Sequence, residues 1–379
     1  MIVQAFLRWA EGAKAADRAK AANALGRAYL QSSLQGEQRK AASIAITHLL
    51  DDPSPAVRLA LAEALAFDDY SPRSIILSLA DDQAEIAATV LAVSPVLLDA
   101  DLIDLVGRGN ACSRAAIAAR QGLTAPVAAA VAEVAEPEVI SVLLENPTAQ
   151  IGRISLRRLA ERFGGVAEIR SALLDRSDLP ADARHILATE LAAALADLDL
   201  VRNLIGGLRV RRLTREVSDL AAVVIAGTAA REELPELVEH MRIAGQLTPA
   251  FLMQSLCMGR IEFFAESVCN LSGLEERRVR AILATGRMHA VRALFESVGL
   301  ARDISVLFVE AVMLWREASR TDDLVGEGDI AGVLVERFRD RVAAHSAASG
   351  LLDIIEKIEI NRQRRLARDY VGSVVLEAA

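Results

Sequence analysis

The sequence predicts an all-α protein, an α-solenoid in which helical hairpins stack into a superhelix closed by a helical C-terminal cap. Three observations carry that prediction. Of the 379 residues 53% are hydrophobic but only 4% aromatic, so the apolar material is mostly Ala, Leu and Val, which suit closely approaching helices. Alternating strand patterns rich in Val, Ile and Thr are almost absent. Finally, a helix–turn–helix unit recurs. The triplets Ala64-Leu65-Ala66, Val90-Leu91-Ala92, Ala116-Ile117-Ala118 and Val142-Leu143-Leu144 begin 26 residues apart, and Ala172-Leu173-Leu174 follows after 30. Neither helix of such a unit buries its apolar face alone, so the units must stack.

The elements follow in order. Each triplet ends an apolar-periodic stretch and is followed by turn chemistry: Asp68-Asp69, Ser94-Pro95, Gln121-Gly122, Asn146-Pro147 and Ser177-Asp178. Ser54-Pro55, Ser71-Pro72 and Thr124 before Ala125-Pro126 read as helix starts, a capping hydroxyl followed by a Pro in the first turn. Pro180, with Asp178 ahead of it, opens a helix through Leu187 and Leu191. Val57, Leu61, Leu65, Leu91, Ile117, Leu143 and Leu173 are the expected interlayer core. Further along, Gly259 aligns with Gly286 and Gly273 with Gly299, and Ser272-Gly273 and Val298-Gly299 read as helix stops. Asp322 to Asp329 reads as a polar loop. Ile330, Val333, Leu334, Phe338 and Val342 then mark one helical face, and Leu351, Ile354, Ile355 and Ile358 another. That last pair is expected to cap the array or to pair with a second copy of the chain.

The segment Leu49-Leu50-Asp51-Asp52-Pro53-Ser54-Pro55-Ala56-Val57-Arg58, continuing LALAEALA, closely resembles a HEAT repeat. The resemblance implies that Asp52 and Arg58 belong to a polar ladder running along the array. The unit around Pro137-Glu138-Val139-Ile140-Ser141-Val142-Leu143-Leu144 is similar instead to leucine-rich-variant repeats. From Ala21 to Leu187 the chain also resembles, as a whole, a domain family of unknown function common in alphaproteobacteria. NALGRAYL, DDPSPAVRLALAEALA, SPVLLDADLIDLV, AIAARQGL, LLENPTA and LLDRSDLPADAR carry that resemblance, in this order. It implies no chemistry. The expected division is a repeat domain over 1–200, degenerate helical repeats over 201–320, and capping or oligomerising helices over 321–379.

Little in the sequence asks for catalysis. His48, His185, His240, His289 and His345 are isolated, with no HExxH spacing, and there is no GxSxG, Walker or kinase motif. Gly326-Glu327-Gly328, with Gly332 beyond, follows no strand and so is no dinucleotide fingerprint. Cys112, Cys257 and Cys269 are sparse and in no CxxC spacing, which suits a reducing, cytoplasmic setting. No run reaches the length of a membrane span. The recurring pairs Asp51/Asp52, Asp68/Asp69 and Asp81/Asp82 suit helix ends better than a cation site.

Against 51 Asp and Glu stand 43 Lys and Arg, a net charge of −8 that disfavours nucleic acid. All but Lys14, Lys20, Lys40 and Lys357 of those cations are Arg. Two clusters, Arg209, Arg211, Arg212, Arg215 and Arg362, Arg364, Arg365, Arg368, either grip an acidic partner or phosphate, or pair with local acids such as Glu216, Asp219, Glu356 and Glu359. Arg120, Asn146 and Arg176 share one repeat position and either form a ligand-facing row or cap helix C-termini. These readings imply a non-enzymatic scaffold or adaptor that binds a protein along the solenoid, without cofactor or metal, with a nucleic-acid- or phospholigand-binding protein as the alternative.

Overall fold

The structure is a computed structural model that describes residues 2–31, 36–319, 329–341 and 346–377. Helix starts largely follow the punctuation of the sequence, because a proline in the first turn loses no intrahelical hydrogen bond. Pro55, Pro126 and Pro137 all lie in first turns. Ser71 does other work. The next helix begins at Arg73, after Pro72, and the Ser71 hydroxyl donates instead to the carbonyl of Leu65 (2.6 Å), closing the helix before it. Thr124 likewise turns its hydroxyl to Asp99 (2.8 Å) rather than to its own helix.

The described residues form 23 α-helices, one 3₁₀ turn and no strand. Two compact units contain them, Met1–Leu179 and Pro180–Ala379. The first comprises α1 (Ile2–Gly12), α2 (Ala15–Gln31), α3 (Glu37–Leu50), α4 (Pro55–Leu65), α5 (Arg73–Ala80), α6 (Ala84–Leu91), α7 (Asp99–Arg108), α8 (Ala111–Ala118), α9 (Ala125–Val134), α10 (Pro137–Glu145), α11 (Arg153–Phe163) and α12 (Ala167–Leu174).

Its packing alternates. Helices α2, α4, α6, α8, α10 and α12 touch in sequence as one row, and α7, α9 and α11 continue a second row begun by α1, α3 and α5. The first row buries Val57, Leu61, Leu65, Leu91, Ile117, Leu143 and Leu173 completely. Small side chains set the spacing. A Cβ added at Gly26 on α2 would lie 2.8 Å from that of Ala64 on α4.

The second unit comprises α13 (Ala181–Asp197), α14 (Asp199–Ile205), α15 (Gly207–Thr228), the 3₁₀ turn Arg231–Glu233, α16 (Leu234–Ile243), α17 (Pro249–Cys257), α18 (Ile261–Ser272), α19 (Glu276–Thr285), α20 (Met288–Ser297), α21 (Arg302–Ala318), α22 (Asp329–Phe338) and α23 (Ala347–Glu377). The two units divide at Leu179/Pro180, with α13 packing on α15 and α16. One core gathers Val223, Leu237, Phe251 and Phe263. The other is built on Phe264, Phe295 and Phe308, whose ring centroids lie 5.5 to 6.1 Å apart. Gly273 closes α18 in the left-handed conformation (φ 65°), which a glycine adopts without steric cost.

The final helix is longer than the sequence suggests, and its stripe is covered within the chain. Leu351 and Ile355 are buried in the Phe264 core, with Ile358 partly buried beside them, against α17, α21 and α22. Beyond Arg362 the described side chains of α23 are exposed. The expected loop Asp322–Asp329 (up to Gly328), with Gly326-Glu327-Gly328, and the expected positions Val342 and His345 lie outside the described residues.

Since Leu143 is fully buried between neighbouring helices, Leu143→Ala should destabilise the chain by roughly 2–5 kcal/mol through lost transfer free energy and a residual cavity. Urea unfolding of the two chains measures it.

Candidate functional site

Polar side chains in the first unit reach forward or back by about one repeat. Arg18 on α2 makes a two-pronged bond to Asp52 (2.7 and 2.9 Å), and Arg58 on α4 does the same to Asp82 (2.6 and 3.0 Å) while also donating to the Asp52 carbonyl (2.6 Å). The Arg18 guanidinium holds the Asp52 carboxyl below the usual carboxylate range. Arg73 and Asp101 repeat the motif between α5 and α7 (2.7 Å for both bonds). The carboxylate pairs at helix ends are thus largely engaged: Asp52 and Asp82 as above, Asp81 by Arg108, and Asp68 by the Tyr70 amide (2.8 Å).

Arg120 and Asn146 point into this scaffold. Arg120 donates to the carbonyls of Leu91 (3.0 Å) and Ser94, and Asn146 to those of Ala118 (2.9 Å) and Arg120 (2.8 Å). These carbonyls are left over where the preceding helix of the same row ends. Arg162 plays the same part for Ala132 and Ala135 (3.2 Å to the latter). Arg176 does not reach back, and pairs with Asp178 instead (2.8 and 2.7 Å). Arg120 and Asn146 therefore stitch turns together, while Arg176, at the same repeat position, is engaged within its own turn.

The basic clusters of the second unit differ from one another. Arg362 is paired with Glu359 (2.9 and 2.8 Å), while Arg364 and Arg368 lie exposed on the distal part of α23. On α15, Arg209, Arg211, Arg212 and Arg215 are all exposed. Arg212 bonds Glu216 (3.1 Å) one turn on, and Arg215 lies within Coulombic reach of Asp219, whose carboxyl burial pushes up.

Beside these arginines runs a feature that the sequence reading passed over. Leu213, Val217, Leu220 and Val224 are 40, 58, 41 and 48% exposed. Their spacing of 4, 3 and 4 places them along one narrow stripe of the helix. Val210, three residues before Leu213, continues the stripe and is buried, while Ala222, Val223 and Ala226, on other sides of α15, are buried within the unit. Its packing neighbour α13 exposes Leu191 and Leu195 four residues apart, and Leu198 is exposed at its C-cap. The signal was present as helical spacing, but spacing alone does not separate an apolar stripe that faces a core from one that faces water.

Other chemistry is sparse. His185 is buried on α13 with its ring 5.4 Å from that of His240, and its Nδ1 has no hydrogen-bond partner. Desolvation, helped by His240, lowers its pKa to about 4. Burial raises the Cys257 and Cys269 thiols to about 12 and about 11, away from nucleophilic use. Among the described residues no three His, Cys, Asp or Glu side chains gather as a metal site. An apolar cleft of about 390 Å³ is lined by Phe264, Leu283, Val312 and Trp315, and its Arg280 and Glu262 are paired with each other (2.8 Å).

Two outcomes follow. Asn146→Ala should lower stability by roughly 1–3 kcal/mol, the cost of leaving buried carbonyls unpaired, and leave partner capture intact. His185 is neutral when folded and titrates near its ordinary value of 6.5 when unfolded, so its contribution is full above that value and is lost as pH falls towards 4. Between pH 7 and pH 5 this amounts to about 2 kcal/mol. Thermal unfolding at the two pH values should show the loss, and His185→Phe should remove most of it.

The comparisons with known proteins bear on this arrangement. No curated protein and no solved structure matches the chain. A family model does, over residues 86–347, which runs from within α6 through α12 and takes in the whole of the α13–α15 region. The motif resemblance drawn over 21–187 overlaps its first part, and the stretch after residue 200, where those motifs fade, lies inside the match. No helix is long and apolar enough, among the described residues, to cross a membrane. The matched span is more than half of the chain, which therefore belongs to the family described as an uncharacterised protein conserved in bacteria (DUF2336).

Proposed function

We propose that this chain is a non-enzymatic scaffold or adaptor, a helical-repeat solenoid of the cytoplasm that binds another protein through the exposed face of α15. The observation that carries this reading is the stripe of Leu213, Val217, Leu220 and Val224 beside four exposed arginines. Contiguous exposed apolar surface rimmed by charge is the usual mark of a protein-docking site. The spacing suits an amphipathic helix laid along α15, with electronegative groups towards Arg209, Arg211, Arg212 and Arg215. The buried, unreactive thiols of Cys257 and Cys269 and the engagement of the first unit's turn residues in its own scaffold support a binding role over a catalytic one.

A second reading rests on Arg209 and Arg211, which have no carboxylate within ion-pair distance among the described residues. Such arginines also suit a phosphate or nucleic-acid backbone. Salt separates the two readings. A site neutralising four phosphates loses roughly a hundredfold in affinity between 50 and 200 mM salt, whereas an apolar docking face is much less sensitive.

The test is affinity capture from the native cell with the full chain and with Val217→Asp, at low and at raised salt. A protein retained at raised salt and lost with Val217→Asp is the expected result. Capture indifferent to Val217→Asp but abolished by salt or nuclease would replace the docking reading with the anionic one.

A further inference from the structure

Resting on that docking reading, we propose that the helix which covers the α15 stripe is the α15 of a second copy of this chain, laid antiparallel about a two-fold axis. The stripe is self-complementary. Its spacing of 4, 3 and 4 reads the same in both directions about the point between Ser218 and Asp219. An antiparallel neighbour therefore sets Leu213 against Val224, and Val217 against Leu220, of the other copy. Asp219 does not lie on that stripe, so the two-fold axis brings no pair of carboxylates face to face.

Charge selects the direction. Arg209, Arg211 and Arg212 crowd the start of α15, where no acidic residue stands in the first turn and where the helix dipole is already positive. A parallel neighbour would bring the two arginine clusters within an interhelical distance of about 8–10 Å. An antiparallel neighbour parts them by about thirteen residues, roughly 20 Å of helix, which is beyond the Debye length of about 8 Å. It also lays each arginine-rich end beside the carbonyl-bearing end of the other α15, just before the exposed Glu232. The other apolar stripe with the sequence marks of an oligomer contact, Leu351 and Ile355, is already covered inside its own unit.

Light scattering on the full chain over a dilution series should give the mass of two chains at high concentration. Val217→Asp, on a side chain 58% exposed and outside the unit's two aromatic cores, should weaken the pair by more than about a hundredfold, because symmetry buries two carboxylates at once. Cysteines supply the register. In a Cys112→Ser background, Val217→Cys with Leu220→Cys should oxidise to a covalent dimer, while Val217→Cys alone should not. Crosslinking by Val217→Cys alone indicates a parallel pair and overturns the proposal, as does a dimer that persists in Val217→Asp. A chain that stays monomeric while Val217 remains essential for capturing a different protein overturns self-pairing and leaves the docking reading standing. A chain that neither pairs nor captures through Val217 removes both.

Discussion

Short helices cannot close their own ends, and the architecture rests on how that shortage is met. An α-helix leaves its last four carbonyls without intrahelical partners. In α5, α6, α8 and α12, each eight residues long, that is half of all carbonyls. Water serves those at the surface, but a row of packed helices buries some of them. Arg120, Asn146 and Arg162 answer this in the first unit, each from a position 26 to 30 residues beyond the carbonyls that it binds. Arg316 in the second unit does the same at the end of α19, donating to Ile282, Leu283 and Gly286 (2.6, 2.7 and 2.7 Å). A guanidinium suits this work because its rigid fork serves two or three acceptors at once, which an ammonium on a flexible stem does less well. The near-replacement of Lys by Arg has here a structural use.

The carboxylate ladder is the complementary device on the same scaffold. Where the carbonyl clamps satisfy acceptors left by one helix, the pairs Arg18–Asp52, Arg58–Asp82 and Arg73–Asp101 tie the loops between helices. Asp52 and Asp82 serve twice, since each also accepts a backbone amide near the start of the following helix, from Ser54 and Gln83. Loop polarity is spent on order within the unit. The exposed arginines beside the stripe of α15 are not drawn into such loop contacts, and functional surface is to be sought there rather than at the turns.

Much of this was legible in the sequence. Periodic apolar triplets located the buried face of every second helix of the first unit, and Val57 through Leu173 fell in the core because helical spacing reports a face faithfully wherever helices pack in a repeating register. Helix starts were legible where proline marked them, but the capping hydroxyls were misread at Ser54, Ser71 and Thr124: none bonds the helix ahead of it, and that of Ser71 serves the helix behind it instead. The division of packing at Leu179/Pro180 was not legible, since nothing local distinguishes an α13 that packs backwards from one that packs forwards. The carbonyl-binding role of Arg120 and Asn146 needed the stacking itself, which brings together atoms far apart in the chain. The α15 stripe was missed for the opposite reason: its pattern is that of an ordinary core helix, and only its exposure makes it unusual.

The one-unit reach of the clamps also says how such a chain can grow. Each donor meets the element next to it and nothing further away, so a whole unit added or removed inside the first row leaves every other donor facing an equivalent acceptor. A single extra residue within a helix turns everything after it by about 100° and carries the following donors off their targets. Length in this architecture is therefore cheap to change by whole units and expensive to change by anything less.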